Sequence, residues 1–113
     1  MAHYLIEGTY TPQSWATQIE ANENVVDRMT RALDACGAKL ESVYYAFGDV
    51  DLIAIVDFRQ PEDAAAYSLM VTATGIARIH RTTPLLSVDQ GIESMRRASE
   101  LRKSYSPPLR VTT

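Results

Sequence analysis

Two apolar segments joined by a short turn predict an α+β fold built on an antiparallel sheet. Residues 43–47 are rich in β-branched and aromatic side chains, and residues 52–58 are almost continuously apolar. The residues between them, GDVD, have the composition of a tight turn. Because a strand that is apolar on both faces is usually central, we expect residues 52–58 to be flanked by other strands and covered on both faces.

The first third of the chain predicts a strand and an interrupted helix. Residues 3–10 alternate in side-chain type, as a strand does. Thr11 suits a helix N-cap, Pro12 suits the first helical position, and Gly37 suits the C-terminal cap. The polar segment EANEN predicts a break between a short helix and a longer one. The apolar positions with helical spacing are Trp15, Ile19, Val26, Met29, Leu33 and Cys36.

The remaining elements follow the hairpin. Pro61 and the two acids after it predict the start of a helix that Gly75 ends. Residues 77–86 predict a fourth strand, and Pro84 within them favours an edge position or a bulge. A further helix is predicted over residues 88–104.

The element order βαββαβ, followed by a helix, is that of the ferredoxin-like split βαβ fold with a four-stranded antiparallel sheet. In this fold the first and third strands are central, and both helices cover one face of the sheet. The other face, on which we place Leu5, Ile53 and Ile55 or their opposites, is too apolar to stand in water. We therefore expect a second copy of the chain to cover it, giving a homodimer or a higher homo-oligomer.

Length and composition limit the possible classes of protein. The 113 residues suffice for one domain, predicted over residues 1–104, with a tail at 105–113. The single cysteine, Cys36, excludes an internal disulfide. Residues 93–113 hold five bases and two acids, and the rest of the chain holds 12 acids and six bases. This charge pattern predicts no nucleic-acid partner, and the absence of a long apolar segment or a basic leader predicts a cytoplasmic protein with no membrane partner.

Four short motifs resemble the GYD-domain proteins over residues 3–100. They are YTP at 10–12, YYAFGDVDLIAI at 44–55, GIAR at 75–78 and TTPLLS at 82–87. Val50 stands where the family has a tyrosine between glycine and aspartate, so any role of that phenol is lost here. The resemblance implies a ferredoxin-like domain similar to dimeric α/β barrels, and it implies no established reaction.

Polar residues within the strands are the candidates for a ligand site. A histidine pair could act as a general base and its orienting partner, or could bind a metal together with a carboxylate, but solvent-exposed histidines are the commoner case. We therefore predict neither a metal site nor a cofactor. Asp49 and Asp51 flank a turn, and we expect their carboxylates to accept hydrogen bonds from the backbone there. The ligand-binding candidates are His3, Glu7, Tyr45, Arg78, His80 and Thr82.

Three functions remain open. The sequence contains no phosphate-binding glycine loop, nucleophile elbow or dinucleotide fingerprint, which removes the enzyme classes with strong motifs. The first hypothesis is an oligomeric domain that binds a small organic molecule in a cavity on the open sheet face. The second is a cofactor-independent isomerase or monooxygenase of the dimeric α/β-barrel type. The third is a purely structural oligomerisation module.

Overall fold

A computed structural model describes residues 2–106 and residue 108, and it confirms the ferredoxin-like α+β architecture. The sheet is antiparallel with strand order β2-β3-β1-β4, so the first and third strands are central, as predicted. No helix of these residues is long and apolar enough to cross a membrane. The elements are β1 (Ala2–Tyr10), α1 (Pro12–Ala21), α2 (Val25–Asp34), β2 (Lys39–Tyr45), β3 (Leu52–Phe58), α3 (Pro61–Thr74), β4 (Ala77–Leu85) and α4 (Val88–Arg102).

The core lies between the sheet and the helices α2 and α3. Every second residue of the central strands faces this side, because successive side chains of a strand alternate between faces. Tyr4 packs edge-on against Phe58 at a centroid distance of 5.5 Å. Burial of each large apolar side chain contributes about 1.5–3 kcal/mol. The largest fully buried side chains are Ile6, Leu33, Val56 and Phe58.

The predicted break in the first helical region is confirmed, but the two helices have 10 residues each and are not a short helix and a longer one. Thr11 caps α1 by accepting a hydrogen bond from the Ser14 backbone N–H at 3.1 Å, and Asn22 ends it in the left-handed conformation. Asn24 then caps α2 through the Val26 N–H.

Two of the apolar positions with helical spacing, Ile19 and Val26, lie outside the core. Ile19 is 76% exposed, because α1 buries only Ser14. In α2 the buried stripe is Val25, Met29 and Leu33 at four-residue spacing, and Val26 lies outside it.

The helix α4 stands away from the rest of the domain. Its start is well specified, since Ser87 and Gln90 form a reciprocal capping box. None of its residues is buried, and the apolar residues Val88, Ile92 and Met95, which share one helix face, are all exposed. Of the predicted tail at 105–113, residues 105, 106 and 108 are described and the rest lie outside the described residues.

Two β-bulges shift the sheet register. One lies in β2 between Leu40 and Ser42 and leaves Glu41 without a direct partner on β3. The other lies between Glu7 and Gly8 of β1 and leaves His80 of β4 as the extra residue. Pro84 sits in the edge strand β4, in agreement with the edge position that it predicted.

A glycine substitution tests the end of α3. Gly75 has φ +73°, and an added Cβ would meet no atom within 4 Å, so Gly75→Ala introduces backbone strain alone. We expect it to lower the free energy of unfolding by about 1 kcal/mol. Gly48→Ala is the control, because its Cβ also meets open space and its φ is not positive; it should change stability by less than about 0.5 kcal/mol. Equal effects in urea unfolding would contradict this account.

Candidate functional site

The face of the sheet opposite α2 and α3, called the open face below, is apolar at its centre. Leu5 of β1 pairs with Ile55 of β3, and both side chains lie on this face together with Ile53. All three are half-buried, whereas Tyr44 of the edge strand β2 is 68% exposed. Within residues 2–106 and 108, no helix packs against this face.

A depression of about 390 Å³, called the turn depression below, lies where the open face meets the turn between β2 and β3. The bulge residue His80 reaches towards β1, and its Nε2 is hydrogen-bonded to Thr9 Oγ1 at 2.7 Å. Glu7 and Arg81 are direct partners across β1 and β4, so a carboxylate and a guanidinium lie beside the imidazole. The turn depression is lined by Glu7, Ala46, Gly48, Asp49, Val50, Ile53, His80 and Arg81.

A second polar group occupies the other end of the open face. The Nδ1 atom of His3 is hydrogen-bonded to Asp57 Oδ1 and lies 3.0 Å from Glu41 Oε2. His3 and Asp57 are direct partners, and the bulge in β2 turns Glu41 towards them. One nitrogen and two carboxylate oxygens, all within 4.8 Å of one another, form a donor set that suits a divalent cation. Neither carboxylate was among the sequence candidates, because only the register reveals their proximity.

The structure brings some sequence candidates together and separates others. Glu7 and His80 share the turn depression, and Arg78 lies opposite Thr9 on the same face. β4 is next to β1, as predicted, but His3 pairs with Leu85 at the far end of that strand. Because His80 contacts Thr9, six residues from His3, the two histidines are about 20 Å apart along β1 and cannot act as a pair.

Tyr45 and Thr82 lie on the helix side of the sheet, away from the open face. Tyr45 packs against Trp15 at 6.0 Å and against Phe47 at 6.4 Å. Thr82 Oγ1 is hydrogen-bonded to Ser68 Oγ of α3 at 2.8 Å. These two candidates therefore do not join Glu7 and His80, and the tyrosine on the open face is Tyr44.

Asp51 fastens the turn to the end of β1. Its Oδ2 accepts hydrogen bonds from the Tyr10 backbone N–H at 3.0 Å and from Trp15 Nε1 at 3.3 Å. Its own backbone N–H donates to the Gly8 carbonyl at 2.9 Å. Asp51 thus holds the aromatic residues Tyr10 and Trp15 in place, which agrees with the structural role predicted for it.

The helix side of the sheet holds an apolar cavity of about 220 Å³, called the interhelix groove below. α2 packs over β2, and α3 packs over β4 and β3, so the space above the central strands is only partly covered. Burial raises the pKa of Tyr67 to about 12. Burial also raises the pKa of Tyr10, and the nearby Arg28 guanidinium lowers the pKa of Tyr10 by a smaller amount. Apolar lining residues include Ile6, Met29, Leu52, Met70, Val71 and Ile79.

The GYD domain is the family whose model matches this chain, over residues 4–100. The chain belongs to the GYD-domain family. The match covers every element from β1 to most of α4, which confirms the resemblance found in the sequence motifs. No curated protein and no solved structure matches the chain.

Removal of the Asp51 carboxylate tests its structural role in this GYD-domain protein. We expect Asp51→Ala to lower the free energy of unfolding by about 2 kcal/mol, because two donors lose a charged acceptor. The exposed Asp49 of the same turn is the control, and Asp49→Ala should change stability by less than about 0.5 kcal/mol. Comparable losses for both variants in urea unfolding would refute this assignment.

The raised pKa of Tyr67 predicts a loss of stability at alkaline pH. Between pH 10 and about 12 the unfolded chain releases the Tyr67 proton before the folded chain does. The stabilisation present below pH 10 is therefore lost as the pH rises. From pH 9 to pH 11, the free energy of unfolding should fall by about 1 kcal/mol more in the wild type than in Tyr67→Phe. Parallel pH profiles would show that the Tyr67 pKa is not raised.

Proposed function

We propose that this GYD-domain protein is a homo-oligomeric small-molecule-binding domain. Its ligand cavity is the turn depression, closed over the open face by a second copy of the chain. The observation that carries the proposal is the convergence of Glu7, His80 and Arg81 beside an apolar sheet face. Sites for small organic molecules combine an apolar wall with a few converging polar groups in this way.

The apolar centre of the open face supports the oligomeric part of the proposal. Leu5, Ile53 and Ile55 form one continuous strip, and Tyr44 extends it to the sheet edge. Exposed apolar surfaces of this kind are typical of interaction sites. We name a second copy of the chain as the occupant, because α4 carries an exposed apolar stripe that can pack against the apolar open face of another copy. This stripe consists of Val88, Ile92 and Met95.

The charges around the strip also suit a second copy. One end of the open face carries Glu41, Asp57 and Lys39 beside His3, and the other end carries Arg78, Arg81 and Glu7. Apart from the histidines, these residues give the first end one net negative charge and the second end one net positive charge. Two such faces packed antiparallel place opposite charges against each other, which favours association and fixes its orientation.

The enzyme hypothesis uses the same depression. His80 and Glu7 could move a proton on a bound substrate, as a cofactor-independent isomerase or monooxygenase requires. The structural-module hypothesis uses α4 and the open face without a ligand. Assembly and ligand binding therefore need separate experiments.

Assembly is tested by a pair of tyrosine variants. Light scattering of the wild type should give at least twice the monomer mass of 12.6 kDa, and Tyr44→Lys should lower that mass because it places a charge in the interface. Tyr45→Lys is the matched control on the other face of the same strand and should leave the mass unchanged. A monomeric wild type, or an equal effect of both variants, would contradict the proposal.

Ligand binding is tested by two substitutions in the turn depression. Small organic molecules that raise the melting temperature of the wild type should fail to do so with Glu7→Gln or His80→Ala, because the first variant removes the carboxylate charge of the cavity and the second removes its imidazole. Glu62→Gln is the control, since Glu62 is an exposed acid at the start of α3, on the other side of the sheet. Stabilisation that persists in both cavity variants would leave oligomerisation as the supported role. Turnover of a bound molecule by the wild type, lost in His80→Ala, would favour the enzyme hypothesis.

A further inference from the structure

We infer that the interhelix groove is a second ligand site, which binds a small carboxylate with an apolar body about the size of one substituted aromatic ring. This site lies on the opposite side of the sheet from the turn depression. It is formed within one copy of the chain, so it does not depend on the proposed assembly.

The floor of the groove explains its depth. Gly8 of β1 lies below it and contributes no side chain. A Cβ at this position would lie 3.1 Å from the Arg78 carbonyl oxygen and 3.4 Å from Ile79 Cδ1, so a side chain here would require the β4 backbone to shift by a few tenths of an ångström. The close approach of β1 and β4 therefore keeps a glycine under the groove and leaves the space above it unfilled.

The volume of the groove sets the size of the ligand's apolar part. An engineered apolar cavity of about 150 Å³ in another protein holds benzene. The interhelix groove, at about 220 Å³, has room for a ring with a short substituent. Its walls are mostly aliphatic and thioether side chains, with Met29 on α2 facing Met70 and Val71 on α3. Methionine side chains adapt to ligands of different shape.

Arg28 provides the polar end of the site. It lines both the groove and an adjoining polar cavity of about 410 Å³ between α1 and the end of α3. Its Nη2 donates to the Tyr10 hydroxyl at 3.0 Å and to Gln18 Oε1 at 3.1 Å, which hold the guanidinium at the junction of the two spaces. A guanidinium has five N–H donors, so N–H groups on Nε and Nη1 remain for a ligand carboxylate beyond the two that Nη2 donates to Tyr10 and Gln18.

Arg28 is the charged residue that faces the groove. Its nearest carboxylate is Glu23, at 3.5 Å, which also lies 3.7 Å from Arg31. Asp27 lies with Glu23 and Arg31 in a separate depression on the surface. Among the residues that the structure describes, no carboxylate lines the groove itself, so the Arg28 guanidinium is its one charged group. Tyr67 lines the groove below and adds a hydroxyl, which can donate a hydrogen bond.

Within the part of the chain that the structure describes, the Gln18 amide brings an unpaired donor to the rim, where Gln18 also lines the polar cavity. Its oxygen is directed at Arg28, and its buried Nε2 has no hydrogen-bond partner among the residues that the structure describes. A buried donor without a partner costs about 1–3 kcal/mol. The residue with this unpaired donor, Gln18, is one of the two that orient Arg28.

The experiment titrates 3-phenylpropionate and its neutral amide into ¹⁵N-labelled protein. Saturable shifts are expected at the backbone amides of Ala32 and Val71, which lie on opposite walls of the groove. The carboxylate should bind at least about tenfold more tightly than the amide, because it forms charged hydrogen bonds with Arg28. This comparison uses the wild-type protein and does not rely on the folding of any variant.

Two arginine variants locate the charge. Arg28→Gln should weaken carboxylate binding by about tenfold or more and leave amide binding within about twofold. Arg31→Gln is the matched control one turn along α2, because it shares Glu23 but does not line the groove, and it should leave both affinities within about twofold. Ala32→Phe, which fills the groove, should abolish the binding of both compounds.

Three results would overturn the inference. The first is the absence of saturable shifts up to about 10 mM probe, where even millimolar binding approaches saturation. The second is an equal loss of carboxylate affinity in the two arginine variants. The third is loss of 3-phenylpropionate binding in Glu7→Gln, which would place the compound on the open face, whereas unchanged binding in that variant supports the groove.

Discussion

The antiparallel pairing of β1 with β3 is the interaction on which the rest of the structure depends. Both strands are central, and their even-numbered residues from Tyr4 to Gly8 and from Leu52 to Phe58 face α2 and α3. Because the side chains of a strand alternate, burying this set necessarily places Leu5, Ile53 and Ile55 on the other face. The core and the apolar open face therefore have one cause. Any change that repositioned the first would also rearrange the second.

The sequence is sufficient to predict the architecture because its local signals agree with one another. Thr11, Gly75 and Ser87 mark helix ends, and the apolar run of β3 marks a central strand. The candidate site is predicted less well, because β-bulges interrupt the alternation of side chains between the two faces. Thr82 follows the bulge in β4, and Glu41 is the extra residue of the bulge in β2. Counting alternate residues from the start of either strand therefore does not show which face these two side chains occupy. The separation of His3 from His80 likewise depends on the antiparallel register, which the order of strands does not reveal.

Polar chemistry is unevenly distributed between the two sides of the sheet. The open face carries its charged residues at both ends, around an apolar centre. On the helix side, Arg28 is the cation that lines the interhelix groove, and its neighbours Tyr10 and Gln18 hold it there. The bulge beside Gly8 affects both sides of the sheet. It turns His80 towards Thr9 on the open face, and on the helix side it brings β4 so close to Gly8 that a side chain is disfavoured on the floor of the groove. One backbone irregularity thus shapes two cavities of different character.

Because side chains alternate along β1, adjacent residues of this strand border different cavities and are subject to different functional constraints. Glu7 borders the turn depression, Gly8 lies under the interhelix groove, and Thr9 returns to the open face. A substitution at Glu7 alters the turn depression and leaves the interhelix groove unchanged, because Glu7 does not line the groove. The strand acts as a partition that lets the two sides diverge separately in evolution. Gly8 is the exception, because a larger residue there would disturb both compartments at once.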